Sequence, residues 1–152
     1  MDISNEEIIK RYSHLVYRIA MSQIGNKTDA DDVYQDVFVH LMRYIDRIKD
    51  EEHLKYWLIR TTINRCKKQF LSSWYKKTTA LIPENVKENI EIPSELYFLV
   101  QNLPSKYKSV IYLHYYEEYT VEEIAKILKV KAGTIKSRLF RARKILQEQW
   151  EE

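Results

Sequence analysis

Apolar residues recur every three or four positions over most of the chain, which is the period of an amphipathic helix. Ser4 with Glu7 has the spacing of a capping box, and Ile8, Tyr12, Leu15 and Ile19 follow on one face. Gly25 is a natural stop for this first helix. A second helix is predicted from Thr28 or Asp29, with Ala30, Val33, Val37, Leu41 and Tyr44 on one stripe. Asp50 can cap a third, over Glu51–Trp74, which carries Tyr56, Trp57, Phe70 and Trp74. Periodicity weakens from Lys76 to Pro93, where Pro83 and Pro93 fall. These 18 residues read as a linker that reaches roughly 60 Å when extended, or as a loop with one helical turn around Glu84–Asn89. A loop that long inside one compact domain is unusual, so two domains are expected. Pro93-Ser94 then opens a short helix carrying Leu96, Leu99 and Val100. Pro104 takes a first-turn position of the next, which carries Tyr107, Val110, Ile111 and His114. Thr120 with Glu123 forms a second capping box ahead of Val121–Leu128, and Ala132–Glu148 is the last helix. The predicted fold is all-α: two small helical domains, 1–75 and 94–152, joined by a flexible linker over 76–93.

Composition narrows the class. The chain has 152 residues with only two glycines and three prolines, which disfavours turn-rich β architectures. The single cysteine, Cys66, excludes an intramolecular disulfide and fits a reducing compartment. The longest uncharged run, Leu96–Ser105, is ten residues, far short of the roughly 18 needed to cross a bilayer. The acidic, polar N-terminus is unlike a signal peptide, so a cytoplasmic protein without membrane insertion is expected.

A net charge of +3 says little, but its distribution says more. His53–Lys77 holds seven basic residues and no acid, and Lys131–Lys144 holds six and no acid. Two such stretches suit two footprints on a polyanion, or two solvated helix faces.

Thr120–Arg143 decides between them. A two-turn helix, the break Lys129-Val130-Lys131 and a longer basic helix make a helix-turn-helix pattern. Ala125 is small where the second helix must cross closely, Val130 plugs the turn into the core, and Ile135 and Leu139 anchor the inner face. Gly133, Ser137, Phe140, Arg141 and Lys144 lie on the opposite face, with Lys136 on its flank. Thr134 and Ser137, near the helix start, can meet phosphates, while Lys136 and Arg141 can reach guanine edges. The alternative is an antiparallel helix pair with a solvated basic face.

The third helix has a different chemistry. It interleaves aromatics with Arg60, Asn64, Arg65, Lys67 and Lys68, a combination that suits stacked single-stranded bases. Trp57, Leu58 and Ile63 also fit a core, and Trp57 is expected there, with the polar residues facing nucleic acid. On the second helix Asp32, Gln35, Asp36, Val39 and Arg43 lie opposite the apolar stripe, a docking face for a basic partner or a solvated face. Enzyme signatures are missing. There is no glycine-rich phosphate loop, the four histidines are scattered, and no cysteine pair has metal-ligand spacing. No catalytic residue, metal or cofactor is expected.

Asp29-Ala30-Asp31-Asp32-Val33-Tyr34-Gln35-Asp36-Val37-Phe38 resembles the core-binding helix of bacterial RNA polymerase sigma factors. Tyr56 through Arg65 resembles the helix that melts and reads the −10 promoter element. Leu103-Pro104 through Leu146, with Glu122-Glu123-Ile124-Ala125 and Gly133 through Arg143, resembles the −35-reading domain. Their order and spacing are similar to the extracytoplasmic-function (ECF) group of the sigma-70 family.

The resemblance implies a non-enzymatic initiation factor with three kinds of partner: core RNA polymerase, promoter DNA as duplex and as single strand, and an anti-sigma factor. Polymerase docking on the β′ clamp falls to Asp32, Gln35, Asp36 and Val39. Contact with −10 DNA falls to His53, Tyr56, Arg60, Asn64, Lys67 and Lys68, with the loop Lys49–His53 capturing an extruded base. Contact with the −35 element falls to Gly133, Thr134, Lys136, Ser137, Phe140, Arg141 and Lys144, and the same domain touches the β flap. The alternative is a stand-alone helix-turn-helix regulator. The chain departs from the family where it has Lys129 for the usual turn glycine, Lys131 for a small capping residue, and no glycine near Tyr119. A non-glycine residue in a left-handed turn costs about 1 kcal/mol, so a locally different turn is expected.

Overall fold

The computed structural model describes residues 3–77 and 94–150, with side chains for 3–69, 96 and 98–150. All regular structure among them is helical, in two compact units, Met1–Lys87 and Glu88–Glu152.

In the first unit α1 (Asn5–Ile24), α2 (Lys27–Tyr44) and α3 (Glu51–Lys77) pack each against the other two. Local chemistry sets their ends. The Ser4 hydroxyl accepts from the Glu7 N–H at 3.2 Å, while the Glu7 carboxylate pairs with Arg11 at 3.1 Å. Gly25 takes the left-handed conformation (φ 69°), and its N–H donates to the Met21 carbonyl. Asn26, not Thr28 or Asp29, caps α2, so that helix starts earlier than its pattern indicates. Asp50 caps α3 as expected, its Oδ1 accepting from the His53 N–H at 2.8 Å. The core is built from Ile8, Ile19, Val33, Val37, Leu41, Leu54, Leu58, Ile59 and Ile63. Each such aliphatic contributes roughly 1.5–3 kcal/mol by burial. Trp57 is core too, 5% exposed. Lys76 and Lys77, assigned to the linker from sequence, continue α3. The rest of that linker, its Glu84–Asn89 turn and the side chains of Phe70 and Trp74 lie outside the described residues.

In the second unit α4 (Ser94–Gln101), α5 (Ser105–Ile111) and α6 (Val121–Leu128) surround α7 (Ala132–Trp150). Pro104 stands one position outside α5 as its N-cap, its carbonyl accepting from Tyr107 and Lys108. α5 runs on into a π-helical turn, Tyr112–Tyr116, that carries His114. The His114 Nδ1–H donates to the Tyr119 carbonyl at 2.9 Å, since a carbonyl can only accept. The Thr120 capping box is complete: its hydroxyl accepts from the Glu123 N–H at 3.1 Å, and the Glu123 carboxylate accepts from the Thr120 N–H at 3.0 Å.

The turn between α6 and α7 is not remodelled around its lysine. Lys129 adopts the left-handed conformation (φ 57°, ψ 45°), and the N–H groups of Lys129 and Val130 both donate to the Ala125 carbonyl. Glu118, next to Tyr119, is also left-handed (φ 61°). The chain thus keeps turns that suit glycine and carries the steric cost at both. Ala125, Ile135 and Leu139 are buried as expected, whereas Val130 is only half-buried and plugs the turn incompletely.

Candidate functional site

Three surfaces carry the candidate residues. The first is the outward arc of α3. His53, Tyr56, Arg60, Asn64 and Lys67 follow one another at three- and four-residue steps, which places them in one row along the helix. Asn64, Lys67 and Lys68 are exposed; His53, Tyr56 and Arg60 are half-buried. Burial draws the Arg60 guanidinium below its ordinary pKa, with the nearby Tyr44 acting in the opposite direction. His53 also organises the loop before α3: its Nδ1 accepts from the Lys49 N–H at 3.1 Å, which leaves the ring proton on Nε2. Lys68 lies on the flank of the row, in a groove shared with Asp32 and Asp36 of α2.

Side chains that sequence reasoning left aside hold this row in place. At the start of α3, Glu51 accepts from Arg11 and, at 3.2 Å, from the Tyr12 hydroxyl. The Glu51 contact raises the Arg11 pKa, and burial with Glu51 raises that of Tyr12. In the second turn of α3 the Trp57 ring stacks with Tyr44 (5.3 Å between centroids, 13°) and with His40 (5.8 Å, 10°). Arg47 caps this stack, 5.6 Å above the Tyr44 ring. The stack ties the end of α2 to the second turn of α3, across the loop between them.

The second surface is the outward side of α2. Asp32, Gln35, Asp36 and Val39 are all exposed, and Val39 is 54% exposed, unusual for valine. Asp36 is not solvated alone: its Oδ2 lies 3.2 Å from the Arg65 guanidinium.

The third surface is α7. Gly133, Lys136, Ser137, Phe140, Arg141 and Lys144 are exposed and Thr134 is half-buried, while Ile135, Leu139 and Ala142 face the core. Phe140 is 65% exposed, so it has no packing role in the unit itself. A Cβ added at Gly133 meets nothing within 4 Å, so no contact inside the chain requires glycine there. The N–H groups of Thr134 and Ile135 turn back to the Lys131 carbonyl. The first N–H groups of a helix have no partner within it, and such a helix start favours an anion.

Tyrosines stand beside two of the α7 arginines. Arg141 holds the Tyr107 phenol below its usual pKa against the opposing effect of burial, with Lys106 assisting. Arg143 donates to the Tyr115 hydroxyl at 2.5 Å and stacks on its ring. A shallow depression of about 350 Å³ between Lys106, Tyr107, Gly133, Thr134, Ser137, Arg138 and Arg141 collects hydroxyls and cations at the start of α7. Tyr107, Lys106 and Arg138 were missed as site residues; the cation three residues before the α7 arginine was the available signal.

Among the described residues no His/Cys/Asp/Glu group could hold a metal, and no helix is long and apolar enough to cross a membrane. Cys66 is buried on α3.

Comparison with known proteins assigns both units to a family. The Sigma-70 region 2 family matches residues 8–75, and the Sigma-70 region 4 family matches residues 94–146. RNA polymerase sigma factor SigV of Bacillus subtilis is 31% identical over 88% of this chain and 82% of its own. The chain belongs to the sigma-70 family, in its ECF group. ECF RNA polymerase sigma factor SigW of Bacillus subtilis is 28% identical over 94% of this chain and 87% of its own. The fold is shared with sigma factor RpoE of Bartonella quintana, solved with the anti-sigma factor NepR (TM-score 0.74, 21% identity, 96% of each chain). It is shared too with CnrH, solved with the cytosolic domain of CnrY (TM-score 0.72, 19% identity, 97% of this chain and 87% of that one). As an ECF sigma factor the chain is a non-enzymatic, promoter-specific subunit of RNA polymerase.

Proposed function

We propose that this sigma factor docks on core polymerase through α2, opens and reads the −10 element with α3, and reads the −35 element as duplex with α7. The observation that carries the reading is the difference between the two basic helices. On α3 the row from His53 to Lys67 combines a histidine, a tyrosine, an amide and cations beside a braced loop, which suits unstacked bases. On α7 the cations and hydroxyls stand on one exposed helix face behind a helix-turn-helix, which suits a major groove.

In this reading Asp32, Gln35, Asp36 and Val39 meet the β′ clamp, a mixed acidic and apolar face for a basic partner. The loop Lys49–His53 receives an extruded base, and Tyr56, Arg60, Asn64, Lys67 and Lys68 hold the melted strand. Thr134, Ser137 and the open N–H groups of α7 take phosphates. Lys136 and Arg141 take base edges, Phe140 takes an apolar contact such as a thymine methyl, and Lys144 takes a backbone phosphate. The second unit also touches the β flap. The domains act as 1–75 and 94–152 with a spacer between, in the cytoplasm where polymerase works. An anti-sigma factor is the expected antagonist, because RpoE and CnrH were each solved with such a partner or its named counterpart.

Run-off transcription with core polymerase on the promoter upstream of the chain's own gene tests this. Initiation at one defined start that depends on the chain is expected. No initiation, together with nanomolar sequence-specific duplex binding by the chain alone, would identify a stand-alone regulator instead.

A further inference from the structure

We propose that Arg65 is a nucleic-acid-binding residue that Asp36 holds in reserve until the polymerase-docking face is occupied. The inference rests on the reading of Asp36 as a docking residue and adds a consequence of occupying it.

The groove between α2 and α3, about 380 Å³, is lined by Asp32, Val33, Asp36, Arg65, Lys68 and Gln69. Its α2 side is acidic and its α3 side basic, so its two carboxylates and two cations cancel. The Arg65 guanidinium is held from two directions: one nitrogen lies 3.2 Å from Asp36 Oδ2, the other 3.4 Å from His40 Nδ1. His40 is itself flat on the buried Trp57. Arg65 is therefore pre-oriented at the edge of the α3 surface, one residue from Asn64 and three from Lys68, with its charge neutralised.

The pair is built to be broken. The Asp36 side chain is 51% exposed and that of Arg65 28%, and ion pairs this open contribute little to stability. A cation from a docking partner can take over the Asp36 carboxylate from the solvent side, because the pair lies at the surface while the neighbouring Val37 and Cys66 are buried in the core. Once the acids of α2 are covered, Arg65 and Lys68 remain as two uncompensated cations beside the row that meets the melted strand. Docking thereby adds a phosphate contact to α3 without any movement of the helices.

The test measures binding of a labelled single-stranded thymidine oligonucleotide to the full chain without polymerase, at several salt concentrations. Asp36→Asn should tighten binding about threefold to fivefold and steepen the salt slope by about 0.7, the increment for one more phosphate contact on a single strand. The gain should vanish in Asp36→Asn/Arg65→Gln. Asp32→Asn removes the same charge from the same groove, and its smaller gain should survive Arg65→Gln. Equal gains from Asp36→Asn and Asp32→Asn, or a gain that survives Arg65→Gln, would overturn the proposal. With core polymerase bound, Arg65→Gln should weaken oligonucleotide binding severalfold while changing that of the free chain little; no loss in the holoenzyme would also overturn it. Polymerase affinity of Asp36→Asn is read separately. Unchanged affinity refutes the docking role of Asp36, whereas lost affinity with no gain in DNA binding refutes the reserve role of Arg65 alone.

Discussion

The two basic helices are braced by opposite means. On α7 Arg143 is oriented by a tyrosine hydroxyl, that of Tyr115, and Arg141 lies beside Tyr107. On α3 Arg65 is oriented by a carboxylate, Asp36. A hydroxyl fixes the direction of a guanidinium and leaves its charge intact, while a carboxylate fixes direction and cancels charge. Among the described residues no salt bridge joins α7 to an acid. Among the described residues the basic face of α7 is therefore left without an acidic partner, whereas Arg65 of α3 is paired with one. The ring stack around Trp57 adds a second brace to α3, made between aromatic rings.

The comparison breaks first at α7. Arg141→Ala and Lys136→Ala should each cost about 1–3 kcal/mol at particular −35 positions, read as transcription from single-base promoter variants. Lys144→Ala should weaken binding evenly and lower the salt slope by about one unit. Equal losses on every promoter for all three would mean that α7 contributes charge alone, like α3. The next largest effect is on docking. Gln35→Lys with Asp36→Lys should weaken core polymerase binding at least tenfold, about 1.4 kcal/mol, with an unchanged helical circular dichroism spectrum. Undiminished polymerase affinity would remove the dependence of the first unit on α2.

Smaller effects sharpen the account of α7. Lys129→Gly should stabilise the second unit by about 1 kcal/mol in thermal or denaturant unfolding, since the left-handed turn no longer opposes a side chain. No stabilisation would mean that the lysine side chain offsets its own strain. Smallest is the titration of Tyr107. Its pKa is depressed chiefly by the Arg141 hydrogen bond, so Arg141→Ala should raise it towards the ordinary value, as read by NMR of ring-labelled tyrosine. The sign follows because the guanidinium favours the phenolate, and removing it restores the neutral form to higher pH. A pKa that stays put would assign the depression to Lys106.

Much of this was legible in the residues. Ser4, Asp50 and Thr120 announce helix starts because capping is local, and Gly25 announces a stop. The outward rows of α2, α3 and α7 follow from helical spacing alone. The braces were not legible because each joins distant positions: Asp36 to Arg65, Tyr115 to Arg143, Arg11 and Tyr12 to Glu51. Tyr115 lies in the π-helical turn, 28 residues before the arginine whose Nε donates to its hydroxyl. The π-helical turn at Tyr112–Tyr116 shifts the helical phase by one residue, which a fixed period of three or four cannot anticipate. At Lys129 and near Tyr119 the residues point to altered turns, yet the left-handed turns persist: a fold held by its core can impose a backbone that the local residue resists.

The most direct measurement is a titration of duplex −35 and single-stranded −10 oligonucleotides, taken from the promoter that run-off defines, against the chain alone and against the holoenzyme. The chain alone should bind duplex at roughly micromolar or weaker affinity and should not tell the cognate −10 strand from a scrambled one. The holoenzyme should make that distinction, lose it in Asn64→Ala and Arg60→Ala, and keep it in Arg141→Ala. Nanomolar specific binding by the chain alone, or strand discrimination that follows Arg141 and ignores Asn64 and Arg60, would contradict the division of labour between α3 and α7.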